Sequence, residues 1–250
     1  MEIMKFFIRK RGKFLIKTAF GSALFMVSAL AVFTPHVYAS HHKDTEIKNV
    51  IPDSLFTARE VFEKIHCSAL EILPPTIRLD MTDYWDVDSV YKASNVMDGL
   101  SWLEKVTPDY LKVRITSVSS LEIKILPDKK EKLAMTIYTV GDDVQAQDSQ
   151  VKFYDQSLKE LPTEKYLSMP EVKDFFEIPK GSATKMKEIE TMIPFPTIAF
   201  EANPDNDNLK ARLTVEQYIN QDDWNIAKLF IKPNITLEWH KDKYKLMKSH

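Results

Sequence analysis

From Leu111 to Ile137 the chain alternates. Leu111, Val113 and Ile115, then Leu121, Ile123 and Ile125, then Leu133, Met135 and Ile137 are apolar, with polar residues between them. A period of two sends successive side chains to opposite faces, so these runs predict a half-buried antiparallel β-meander. Upstream the period is helical. Thr57 and Glu60 have the spacing of a capping box, and Val61, Phe62, Ile65 and Ala69 follow at helical intervals, which predicts a helix over 57–70. Pro74-Pro75 stops it, and "TIRLDMTDYW" restarts a shorter helix with Met81, Tyr84 and Trp85 on one face. Asp98-Gly99, between "VYKASNVM" and "LSWLEKV", accepts the positive φ angles of a tight hairpin turn. "VKFYDQSLKEL", residues 151–161, reads as two short strands around a turn.

The C-terminal region repeats this design. Pro127-Asp128 matches Pro204-Asp205, Leu133, Met135 and Ile137 match Leu209, Ala211 and Leu213, Phe153-Tyr154 matches Leu229-Phe230, and Leu161 falls opposite Trp239. Two copies at this period suggest a duplicated four-strand unit. The expected fold class is therefore α+β, mainly β, with N-terminal helices ahead of the meander. Residues 57–161 hold the helices and first meander, 162–197 connect, and 198–250 form a second meander packed on the first. The connecting segment carries a "KMKEIETM" stretch able to form one or two helical turns and is expected to drape over the protein.

The first 39 residues change the setting. Lys5, Arg9, Lys10, Arg11, Lys13 and Lys17 precede an apolar run from Thr18 to Phe33, and Val37-Tyr38-Ala39 supplies a small-residue cleavage site. These are the three parts of a secretory signal peptide, with cleavage expected after Ala39 and residues 40–56 a flexible start. The apolar run is short for a membrane span, so no stable insertion is expected after cleavage. Cleavage removes six of 34 basic and one of 36 acidic residues, leaving 28 against 35, a net charge of −7. That balance repels phosphate and argues against nucleic acid as a partner. Cys67 is the single cysteine, so no disulfide forms within the chain, and its expected role is a buried small hydrophobe.

Candidate chemistry is sparse. Asp80 and Asp83 share a predicted helix face, with Asp86 and Asp88 beyond, and a carboxylate pair can serve as general acid and base or bind a hard cation. The same stretch lacks the Gly and Glu of an EF-hand, and a solvated helix face is the plainer reading. "NPDNDN", residues 203–208, brings Asp205 and Asp207 into an oxygen-rich loop that reads first as a hairpin turn. Cleavage after Ala39 would expose Ser40-His41-His42, whose amine, backbone nitrogens and imidazole could make a square-planar nitrogen site. Trp102 and Trp239 fall at apolar phase on strands, where core packing is the default. The chain has five Gly and no G-x-S-x-G or phosphate-loop arrangement, so no cofactor is expected.

In order along the chain, "TAREVFEKI", "RLDMTDYW", the N-x-MDG-x-S-x-L pattern from Asn95 to Leu103, "TPDYLKVRIT", "LEIKILP", "DSQVKFYD" and "ITLEW" resemble exported proteins of the domain of unknown function 3256 family from gut and oral anaerobic bacteria. The chain departs from that pattern at Ile65-His66-Cys67-Ser68. The resemblance implies an extracytoplasmic, mainly β protein of a two-membrane envelope and no assigned activity. The leading expectation is a non-catalytic binding module for an envelope protein, glycan or lipid. The alternatives are a glycan-directed hydrolase using Asp80 and Asp83, and a small-ligand or lipid carrier.

Overall fold

The computed structural model describes residues 56–247, except 88, 89, 130, 143, 145, 180–182 and 194. The expected signal peptide and the His41-His42 site lie outside the described residues. Phe56, assigned by sequence to the flexible start, is 1% exposed and belongs to the core.

Helix α1 (Ala58–Lys64) opens on Thr57, whose hydroxyl accepts from the Glu60 N–H. It is shorter than the periodicity predicts. The chain leaves helical geometry at Ile65 because the guanidinium of Arg78 takes the carbonyls of Phe62 and Ile65, and a 3-10 turn follows at Ser68–Leu70. Helix α2 (Pro75–Trp85) begins with Pro at its first position, where a missing N–H costs nothing.

Seven strands follow as an antiparallel sheet in chain order: β1 (Ala93–Ser94), β2 (Leu100–Val106), β3 (Tyr110–Thr116), β4 (Ser119–Asp128), β5 (Glu131–Val140), β6 (Asp148–Tyr154) and β7 (Glu160–Leu161). The N-x-MDG-x-S motif is the β1–β2 turn. Asp98 takes φ 58°, Asn95 Oδ1 accepts from the N–H groups of Met97 and Gly99, and Asn95 Nδ2 donates to Ser101 Oγ at 3.0 Å. The stretch 151–161 is strand, Asx turn, strand, with Asp155 Oδ1 accepting from the N–H groups of Ser157 and Lys159.

The connecting segment holds α3 (Thr163–Tyr166), a 3-10 turn at Val172–Phe175 and α4 (Ala183–Met192), and buries Tyr166, Leu167, Phe175, Phe176, Ile189 and Ile193. A second antiparallel sheet has the order β11-β10-β9-β8, formed by β8 (Ile198–Ala202), β9 (Leu209–Leu213), β10 (Ile235–His240) and β11 (Lys243–Leu246), with α5 (Gln221–Ala227) between β9 and β10. The segments matched by sequence include two hairpins, β4–β5 and β8–β9, but Pro127-Asp128 is on strand β4 whereas Pro204-Asp205 is in the β8–β9 turn. Phe153-Tyr154 ends strand β6, whereas Leu229-Phe230 lies in the turn after α5.

Each face of the first sheet carries its own core. Leu111, Val113, Ile115, Leu121, Ile123 and Ile125 pack against α1 and α2, while Met135, Ile137, Val151 and Phe153 pack against the second sheet and the connecting segment. The half-buried expectation is therefore corrected. Glu122 and Lys124, which alternate with the isoleucines, are 4% and 1% exposed because β8 and the 203–208 loop cover them. Among the described residues, no helix is long and apolar enough to cross a membrane.

Candidate functional site

A polar seam borders the apolar packing between the two sheets. Strand β8 is an edge strand, and edge N–H groups need acceptors. The first sheet supplies them from side chains: Ile198 N–H donates to Asp148 Oδ1 (3.2 Å), Phe200 N–H to Ser149 Oγ (3.0 Å) and Ala202 N–H to Glu122 Oε2 (2.9 Å). The hydroxyl of Thr214 donates to the Gln147 carbonyl, and Arg212 Nη2 to Gln147 Oε1 at 2.7 Å.

Beside this seam lies a cleft of about 310 Å³ with Glu122 in its wall. Cross-strand register builds one side, since Lys112 stands opposite Glu122 and Arg114 opposite Ser120. Lys112 Nζ is 3.5 Å from Glu122 and 3.7 Å from Glu104, and Arg114 Nε is 3.0 Å from Glu104. Strand β9 builds the other side with Lys210 and Arg212, two residues apart and both exposed, and Ser120, Thr139, Gln147 and Asn234 add neutral donors and acceptors. Four cations therefore face a cleft on a chain whose net charge is −2.

Burial pushes the Glu122 carboxyl up to about 7, outweighing Lys112 and the Ala202 N–H, which favour its charged form; Glu201 pushes the same way as burial. The Tyr110 hydroxyl beside it is pushed up as well, first by burial and then by the Glu122 charge. Gly141 closes one end at φ +105°, where an added Cβ would lie 2.5 Å from the Ala146 carbonyl oxygen. A buried titrating carboxyl within convergent polar groups marks a functional site more strongly than an exposed acidic run.

The residues singled out by sequence lie elsewhere. Asp80 and Asp83 are exposed on α2, and neither lines the cleft; their neighbour Asp86 forms a two-pronged pair with Arg59 at 2.7 and 2.9 Å, which holds its carboxyl below the usual range. Asp205 and Asp207 sit in the β8–β9 turn and pair with lysines of the first sheet, Lys105 at 3.9 Å and Lys124 at 3.7 Å. Among the described residues no group of three His, Cys, Asp or Glu is arranged to hold a metal ion. Cys67 is half-buried, and burial pushes its thiol up, away from the thiolate a nucleophile needs. Trp239 packs in the core, with Nε1 donating to the Pro127 carbonyl at 2.7 Å, whereas Trp102 stands outside both cores with Lys92 Nζ 4.8 Å from its ring centre.

Glu122 lies within the quoted "LEIKILP" but carries no local mark of a site. The usable signal was the cross-strand pairing of Lys112 with Glu122, legible once the β3–β4 hairpin register is drawn.

No curated protein matches the chain. Among solved structures it is similar to a domain of an uncharacterized protein from Porphyromonas gingivalis W83, at 19% identity and a TM-score of 0.65, over 76% of this chain and 98% of that one, a likeness of fold. A family model described as protein of unknown function (DUF3256) matches residues 56–244, and the chain, with its motif series from Asn95 to Trp239 accounted for as turns and strands, belongs to that family.

Proposed function

We propose that this protein is an exported, non-catalytic binding module of the bacterial cell envelope, and that its cleft between the sheets takes a short stretch of acidic glycan. The observation that carries the reading is the set Lys112, Arg114, Lys210 and Arg212 around a 310 Å³ polar cleft. Cations with hydroxyl and amide neighbours suit a polyhydroxylated anion, whereas a lipid tail would ask for apolar walls. The basic leader and small-residue cleavage site support export.

The test is titration of the full chain, expressed in a bacterial host and recovered from the periplasm, with trigalacturonate and with neutral maltotriose. The acidic trisaccharide binds, the neutral one does not, the double variant Lys210→Glu/Arg212→Glu loses binding, and the sugar is recovered uncleaved. Equal binding of both sugars, unchanged binding by the variant, or no binding at all would overturn the reading. Amino-terminal sequencing of the recovered protein tests export, with Ser40 as the expected first residue.

A further inference from the structure

Among the described residues two cations are almost wholly buried, and the protein treats them differently. Lys124 is 1% exposed, with Asp109 at 2.7 Å and Asp207 at 3.7 Å to balance it. Arg78 is 2% exposed and, among the described residues, makes no ion pair. Its Nη1 donates to the carbonyls of Phe62 and Ile65, its guanidinium lies 5.9 Å from the Phe62 ring centre, and its buried Nε has no partner. Loss of water pulls its pKa down, the direction expected for a charge without a counter-ion. Buried charge is tolerated when it is paired, and a buried guanidinium N–H without a partner is a group awaiting an acceptor.

Arg78 lines an open cavity of about 480 Å³, walled on the apolar side by Ile65, Leu70, Leu73 and Pro75 and reached by Cys67. We propose that this cavity binds a small organic carboxylate, its anionic end toward the unpartnered Nε of Arg78 and its apolar body along Ile65, Leu70 and Leu73. The planar guanidinium fork matches a carboxylate. Arg78 is the one lysine or arginine among the lining residues, and the exposed His66 and Glu71 also stand at the cavity, a balance that suits a monoanion better than a phosphate dianion. The apolar wall favours a hydrocarbon body. This site is separate from the cleft, and neither reading depends on the other.

The probe is sodium octanoate, with n-octanol and inorganic phosphate as the other arms, added to the full chain. Cys67 gives a direct readout, because it is the single cysteine of the sequence and stands at the cavity. Octanoate slows its alkylation by iodoacetamide several-fold and raises the melting temperature, while octanol and phosphate do neither. Arg78→Met weakens octanoate binding by at least about tenfold, the value of a lost charge-assisted hydrogen bond. Should Arg78→Met fail to fold, Ser68→Trp, which fills the cavity from an exposed position and keeps Arg78, abolishes the octanoate melting shift. Protection by octanol or phosphate equal to that by octanoate, an octanoate shift retained in the folded variant, or no effect of octanoate would overturn the proposal.

Discussion

The outer face of α2 and the wall of the cleft both present carboxylates, and they differ in everything else. On α2, Asp80 and Asp83 stand in water, as does Asp86 at its C-cap, which forms a surface pair with Arg59. In the cleft two carboxylates line the wall, exposed Glu201 and Glu122, and of these Glu122 is 4% exposed, receives a backbone N–H from a strand 80 residues away and faces Lys112. Environment, and not the number of acidic groups, sets what a carboxylate can do. Water solvates the α2 group and leaves it little energy to trade, whereas each change at Glu122 is felt by both sheets.

The contrast breaks first at Glu122 itself. Glu122→Ala leaves the Ala202 N–H without its acceptor and opens a gap in a buried seam, and should cost about 3 kcal/mol in a denaturant titration at pH 6. Glu122→Gln keeps an acceptor and removes the charge, so it isolates the pH effect. The folded carboxyl titrates at about 7 against an ordinary value of 4.5, so the folded state holds the proton more tightly. Stability is then highest below about pH 4.5 and falls as pH rises to about 7, by up to about 3 kcal/mol for the full shift, and levels off above. Glu122→Gln should flatten that slope and match or exceed the parent at pH 8; a parallel slope in the variant would place the titration elsewhere.

Gly141 tests the cleft's frame. Gly141→Ala puts a Cβ 2.5 Å from a carbonyl oxygen at φ +105°, a cost of about 2 kcal/mol with weakened glycan binding. The smallest effect belongs to α2, where Asp80→Asn with Asp83→Asn should leave the unfolding midpoint and the glycan affinity unchanged. Lost affinity there would erase the distinction between the two regions.

Local pattern carried the strands and turns well, because alternation, Asp98-Gly99 and the Asp155 turn are local physics. It missed what covers the sheet. Glu122 and Lys124 look like a solvent face, since charges at alternate positions usually are one. Their burial depends on Ala202 and Asp207, roughly 80 residues distant, and no short-range signal announces such partners. The same distance hid the cleft, built from β3 and β4 on one side and β9 on the other. The helix predicted over 57–70 ends early, at Lys64, for a related reason: the residue that takes its last carbonyls, Arg78, belongs to α2.

The side-chain acceptors along β8 also bear on how copies of this chain meet one another. A strand whose outward N–H groups are occupied offers no template to a neighbour. The seven-stranded sheet ends in strands of two residues on both sides, and the remaining border, β11, is touched by a parallel bridge between Leu167 and Tyr244. Every border among the described strands is thus short, capped or partly covered, an arrangement that works against fibre growth at high local concentration in a β-rich chain with no internal disulfide.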